Sequence, residues 1–277
     1  MLKVCISGLG RTGCQIAKYF LNSKQVKLVS AVCSPSSWKA GRDLGEVIGC
    51  FNTGIPVYSS SHLEQCIFNT KPDVVMDFSQ PFAALKNAEI FLSLGVKIVM
   101  GTTGFSNSEE NMLFELAEEN SGGIIYAPNI TRGVNVLMLL AELASKILEN
   151  YDVEIVEMHH KSKKDSPSGT ALKIAEGIRN GRNEGLNQVL SNISISSVRA
   201  GGMMSCHKVM LVGENDMLEI THQSFSRDAF AEGALYALEF ICDRTGVYEM
   251  KDALNCESIL EDHLNYAKEF AQHQIKI

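Results

Sequence analysis

The sequence predicts an α/β protein in two parts. The first is a parallel sheet interleaved with helices; the second is an α+β unit with a mixed or antiparallel sheet. In the first half, short apolar runs alternate with stretches of helical spacing, starting at residue 2. In the second half, three alternating runs lie close together with no long helix between them. Between them Glu154 to Leu172 packs a strand, a charged loop and a helix start into one span.

Leu2 to Ser7 reads as a buried strand and leads into Gly8-Leu9-Gly10-Arg11-Thr12-Gly13. A helix follows, with Ile16, Ala17, Phe20 and Leu21 at core spacing, and Val26 to Val32 is the next strand. Strand, Gly-x-Gly-x-x-Gly, helix, strand is the dinucleotide-binding context, and it makes the first part Rossmann-type. The second strand of such units normally ends in an acid that holds the adenosine ribose of NAD. Here it ends in Cys33 and Ser34, followed by Ser36, Ser37, Lys39 and Arg42. These donors suit a 2′-phosphate better than a ribose diol, so the expected cofactor is NADPH or NADH, with NADPH preferred or equal.

Asp73 to Ser79 is a third strand, and a helix runs from about Pro81 to Leu94. Val96 to Met100 is a strand entering Gly101-Thr102-Thr103-Gly104-Phe105; a helix covers about Ser108 to Asn120; Gly123 to Ala127 is a strand ending in Ala127-Pro128-Asn129. Both loops follow carboxyl ends of strands, where parallel sheets bind ligands. A long apolar helix runs from Ile130 to about Asn150, through Val134, Leu137 and Leu140. Ile193 to Ala200, His207 to Gly213 and Met217 to Ser224 read as strands, mostly antiparallel, and Arg227 to Cys242 as a helix. Val247 to Leu254 returns to the first part, and Ser258 to Ile277 is an amphipathic end helix. The expected domains are residues 1–129 with 243–277 for the dinucleotide, and 130–242 for the substrate.

The chain has 277 residues, 45% hydrophobic and 21% charged, a soluble globular composition. A net charge of −7 argues against nucleic-acid and anionic-membrane partners. No run approaches ~18 consecutive apolar residues. The eight cysteines form no Cys-x-x-Cys pair and are scattered, several in apolar runs, which reads as free thiols in a reducing cytosol. A strand at the very N-terminus leaves no room for a signal peptide, so a cytoplasmic location is expected.

The central span carries the chemistry. His159 and His160 close a strand that contains Ile155, Val156 and Met158; Lys161, Lys163 and Lys164 follow; then Pro167-Ser168-Gly169-Thr170 opens a helix continued by Ala171, Ile174, Ala175 and Ile178. Ser168 suits the N-cap. The N–H groups of Gly169 and Thr170 then face outward at the positive end of a helix dipole, an anion site for which a carboxylate is the natural guest. Adjacent histidines on a strand point to opposite faces, so they are poor partners on one metal. They serve better separately, one for proton transfer and one for substrate hydrogen bonding. Taken singly, a histidine pair is more often polar surface and a lysine-rich loop a solvated face; their concentration in one loop favours a site.

His-His-x-x-Lys-x-Asp-x-Pro-Ser-Gly-Thr-Ala resembles the signature of the dihydrodipicolinate reductase (4-hydroxy-tetrahydrodipicolinate reductase) family of lysine and diaminopimelate synthesis. Gly-Thr-Thr-Gly-Phe at 101–105, Ala-Pro-Asn at 127–129, Val198-Arg199-Ala200-Gly201, Leu218 to His222 and Ser226-Arg227 resemble further family motifs. The resemblance implies reduction of a cyclic unsaturated imine dicarboxylate by NADH or NADPH, in a homotetramer joined through the second-domain sheets. It implies His159 as the catalytic histidine and Lys163 as the proton donor. His160, Lys163, Ser168, Gly169 and Thr170 would hold the substrate. Gly8, Leu9, Gly10, Arg11, Thr12, Gly13, the position of Cys33 and Ser34, Gly101, Thr102, Thr103, Ala127, Pro128, Asn129 and Ile130 would hold the cofactor; no metal is implied. Three features depart from the family: Thr12 in the glycine loop, Cys33 in place of the acid, and Ser205-Cys206 before His207 where Gly-Glu is usual. The segment 258–277 also runs beyond the family's usual end. Two other readings fit the fold: a sister reductase for another cyclic imine or amino-acid-derived substrate, and a protein that senses NAD(P) without turnover. The intact His159, His160 and Lys163 argue against the second.

Overall fold

The computed structural model describes residues 1–182 and 193–274, with the backbone alone at 264 and 267–274. Seven strands form one parallel sheet. In chain order its elements are β1 (Leu2–Ser7), α1 (Arg11–Phe20), β2 (Val26–Cys33), α2 (Leu44–Ile48), β3 (Val57–Ser59), α3 (Leu63–Thr70), β4 (Val74–Asp77), α4 (Pro81–Ser93), β5 (Lys97–Met100), α5 (Asn107–Glu119) and β6 (Gly123–Tyr126). The chain then builds a second unit from α6 (Arg132–Ile147), β7 (Asp152–His159), α7 (Gly169–Gly181), β8 (Ser194–Arg199), β9 (Ser205–Val212) and β10 (Met217–Ser224). It returns with α8 (Asp228–Ile241), β11 (Gly246–Glu249), α9 (Met250–Ala253) and α10 (Cys256–Gln274).

The first sheet has the order β11-β6-β5-β4-β1-β2-β3, the doubly wound order extended by one returning strand. The order reverses between β1 and β4, which opens a crevice at their carboxyl ends. One face buries Val4, Ile6, Ile16, Val99 and Ile125 beneath α1 and α8; the other buries Val75, Phe91, Ile98, Leu113 and Ile124 beneath α3, α4 and α5. The elements between residues 43 and 72, absent from the expected set, complete this sheet's far edge. Strand β3 has only three residues, and α3 shows a weak apolar stripe of Leu63, Cys66 and Ile67.

The second sheet has the order β10-β9-β7-β8. Strands β9 and β10 are antiparallel to their neighbours, whereas β7 and β8 are parallel, joined by the crossover through α7. The sheet is therefore mixed, with two of its three pairings antiparallel, as expected. Helices α6 and α7 cover one face, burying Leu137, Ala141, Ile174 and Ile178 against Ile155, Val209 and Leu211.

Helix α8 departs from the expected division. It lies within 130–242, yet Ala231, Ala234, Ala237, Leu238 and Ile241 pack into the core of the first sheet. These small, closely spaced residues let it lie flat beside α1. The end helix begins at Cys256, with Ile259 exposed; the last three positions of the expected helix, 275–277, lie outside the described residues.

Candidate active site

At the crevice of the first sheet the backbone shapes the site. Gly8 sits at φ +92°, and a Cβ there would lie 2.5 Å from the Phe78 carbonyl carbon. A Cβ on Gly13 would lie 2.0 Å from the Gly8 carbonyl oxygen, so α1 packs directly on the turn. Gly10 faces open space at the N-cap of α1, and no side chain caps that helix. The first-turn N–H groups of α1 are thus left for an anion. The loop after β5 is tied down by buried Asp77, whose Oδ1 accepts from Thr102 Oγ1 at 2.6 Å and from Ser79 N at 2.9 Å. A Cβ on Gly101 would lie 2.2 Å from the Phe78 ring. This run of positions that exclude a Cβ fits the flat, extended contact a dinucleotide makes with backbone.

The second wall comes from side chains. Along β7, Ile155, Glu157 and His159 share the inward face, which turns from apolar to polar where α7 begins. His159 is 8% exposed, and its Nδ1 lies 2.5 Å from Glu157 Oε2. Burial holds its imidazolium below the ordinary range, opposed by Glu157. His207, opposite Glu157 on β9, packs edge-on with ring centroids 5.2 Å from His159. Burial, and then His159, push its pKa down to about 4. His160 Nδ1 lies 2.8 Å from Ser162 Oγ. Lys163 Nζ donates to Asp165 Oδ2 at 2.9 Å. Ser168 caps α7 by accepting from Ala171 N at 3.2 Å, which leaves the N–H groups of Gly169 and Thr170 facing the cleft. A Cβ on Gly169 would meet nothing within 4 Å.

The two walls enclose a cleft of about 700 Å³. Arg11, Thr12, Gly101, Thr103 and Ala127 to Ile130 line one side; His159, His160, Lys163, Gly169 and Thr170 line the other. Asn129 joins them, its Nδ2 donating to Thr170 Oγ1 at 2.9 Å. Thr102 and Ser168 stay buried behind this lining and act through hydrogen bonds. Cys33 does not present its side chain as expected of a cofactor-binding position. It is 6% exposed, and its thiol donates to the Tyr58 carbonyl at 3.5 Å, because the inward parity of β2 carries it into the core. Ser34, next along, is exposed. Lys39 Nζ donates to the Leu9 carbonyl of the glycine loop, whereas Arg42 is paired with Glu46 and stacked over Trp38.

Sequence reasoning missed several lining residues: Lys173, 4.9 Å from the Tyr126 ring centroid, together with His207, His222, Arg227 and Phe230. The histidines of β9 and β10 carried a usable signal, polar residues at the parity of Val209 and Leu211 on β9 and of Leu218 and Ile220 on β10. Among the described residues no group of three or more His, Cys, Asp or Glu side chains is arranged to hold a metal ion.

The family model described as dihydrodipicolinate reductase, N-terminus, matches residues 2–130, and that for the C-terminus matches 133–254. The 4-hydroxy-tetrahydrodipicolinate reductase of Methanococcus aeolicus is 38% identical over 92% of this chain and 99% of its own. That of Methanocaldococcus jannaschii is 35% identical over 94% and 99%. The structure of a dipicolinate-bound dihydrodipicolinate reductase from Paenisporosarcina sp. TG-14 superposes with a TM-score of 0.74 at 28% identity, covering 90% of this chain and 97% of that one. With both halves matched in order and relatives aligned almost end to end, this chain belongs to the dihydrodipicolinate reductase family.

Proposed function

We propose that this chain reduces 4-hydroxy-tetrahydrodipicolinate to tetrahydrodipicolinate with NAD(P)H, in lysine and diaminopimelate biosynthesis. The observation that carries the reading is one cleft in which the glycine turn and the 101–103 and 127–130 loops face His159, His160, Lys163 and the open start of α7. The nicotinamide, when bound, supplies the hydride. The N–H groups of Gly169 and Thr170 bind one substrate carboxylate, and His160 and Lys163 reach the rest of the dianion. Hydride arriving at a conjugated imine leaves charge on an enamine. Lys163 stabilises that charge and delivers the proton, and His159 completes the proton-handling pair. Ser168 holds the α7 terminus in place by capping it.

NADPH is the preferred or equal cofactor. No acid follows β2; Ser34 and Ser36 are exposed there, and Lys39 reaches the glycine loop. Residues 1–129 with 243–277 form the cofactor unit, to which α8 adds packing, and the remainder of 130–242 forms the substrate and oligomerisation unit. The uncovered face of the second sheet exposes Val198, Val212 and Met217, which supports assembly into a homotetramer. No helix among the described residues is long and apolar enough to cross a membrane; the scattered free cysteines support a cytoplasmic location.

The test is turnover of the dihydrodipicolinate synthase product with NADPH and NADH in parallel. Reduction with both is expected, with kcat/KM for NADPH equal or higher. Absence of turnover with either would remove the substrate assignment. A tenfold or greater preference for NADH would overturn the cofactor reading alone.

A further inference from the structure

Glu157 has no exposed side-chain surface, yet its two oxygens accept four donors. Oε2 takes His159 Nδ1 at 2.5 Å and Arg199 Nη1 at 2.9 Å; Oε1 takes Arg199 Nη2 at 2.6 Å and the backbone N–H of Ser168 at 3.2 Å. Arg199 Nη2 also donates to the Asp165 carbonyl at 2.6 Å, in the loop that carries Lys163. One ion pair, with Glu157 buried and Arg199 partly so, therefore touches the strand end with His159, the loop with Lys163 and the cap of the anion-binding helix. These three pieces share no other fixed point of this kind among the described hydrogen bonds.

The geometry also sets a tautomer. A carboxylate can only accept, so the neutral His159 ring carries its hydrogen on Nδ1 and leaves Nε2 for the cleft it lines. The groups facing this ring are Lys163 and Asp165 from the loop, Arg199 from β8, His207 from β9 and His222 from β10. Most of them are cationic or neutral. Glu157 is the anion in direct contact, and it works against burial, Lys163 and Arg199, which all disfavour the imidazolium.

We infer that Glu157, held by Arg199, is a positioning residue for the reduction: it fixes His159 as the Nδ1–H tautomer with Nε2 toward the substrate, and sets the pH range over which that ring takes up a proton. This rests on the reading of His159 as a catalytic group.

The tautomer is read by ¹⁵N NMR of labelled imidazoles in the enzyme without ligands, with His159 assigned by its loss in His159→Gln. Wild type should show the Nδ1–H form. Glu157→Gln should populate Nε2–H, lower kcat by at least about tenfold and move the acid limb of the pH–rate profile to lower pH, with KM for NADPH unchanged. If Glu157→Gln does not fold, Glu157→Gln/Arg199→Gln removes both charges and carries the same readouts. A brace without influence on the ring would lower thermal stability yet leave the tautomer and the pH profile where they were, and that result overturns the inference. So does a wild-type spectrum showing Nε2–H. Failure of the functional reading shows differently: wild type would not turn over the substrate, while the tautomer measurement would stand.

Discussion

The two walls of the cleft are made of different material. The wall proposed for the cofactor is mostly backbone, drawn tight where Gly8, Gly13 and Gly101 leave no room for a Cβ. The wall proposed for the substrate is mostly ionisable side chains: buried Glu157, His159 and His207, with half-buried Arg199. A backbone wall recognises a shape common to many dinucleotides and needs little buried charge. A charged wall recognises one small dianion and places its proton, but each buried charge depends on its partner.

The contrast predicts unequal fragility. Arg199→Leu should strip Glu157 of its cation and cost about 3–5 kcal/mol in urea unfolding. A loss under about 1 kcal/mol would mean that the charged wall is no more demanding than the backbone one. Acid should attack the same wall. Burial first, and then His159, hold His207 neutral down to about 4, against 6.5 when unfolded. Its contribution is therefore present above pH 6.5 and is lost as pH falls toward and below 4, on the order of 3 kcal/mol by pH 4. Burial alone would raise the Glu157 carboxyl, but Arg199 and His159 hold it at about 2, so its share is lost from about 4.5 down to 2. His207→Asn should flatten the first part of that pH dependence.

Lys163→Ala should reduce kcat at least ~100-fold, about 2.7 kcal/mol, with NADPH binding by fluorescence titration unchanged. Weaker cofactor binding would show that the two walls are not separable. Thr170→Val should weaken competitive inhibition by dipicolinate by about 1–3 kcal/mol, since it removes a hydroxyl beside the anion site and the bond from Asn129. On the backbone wall, Ser34→Asp should shift kcat/KM toward NADH by about 1–2 kcal/mol. Ser34 is the position to change because Cys33 points into the core.

The same difference decided what could be read from sequence. Backbone recognition leaves a local trace: Gly8 and Gly10 lie in the turn between a strand and a helix, and Gly13 in that helix's first turn. The helix start at Ser168 was legible for the same reason, since a cap is a local device. Glu157, Arg199, His207 and His222 converge from four strands, β7 to β10, and their pairing follows from sheet register, which no short window contains. Strand β3 was missed because three residues carry no period. The placement of α8 was missed because its small residues suit either sheet equally well.

That placement bears on how the polypeptide is made. The first sheet receives its seventh strand from residues 246–249 and much of one covering layer from α8. The second sheet precedes both, and its last described strand ends at residue 224. During synthesis, then, the N-terminal half leaves the ribosome first yet is sealed last. Until α8 emerges, apolar side chains such as Val4, Ile16 and Val99 lack part of their cover, and the nascent chain offers a chaperone a surface that the finished enzyme hides.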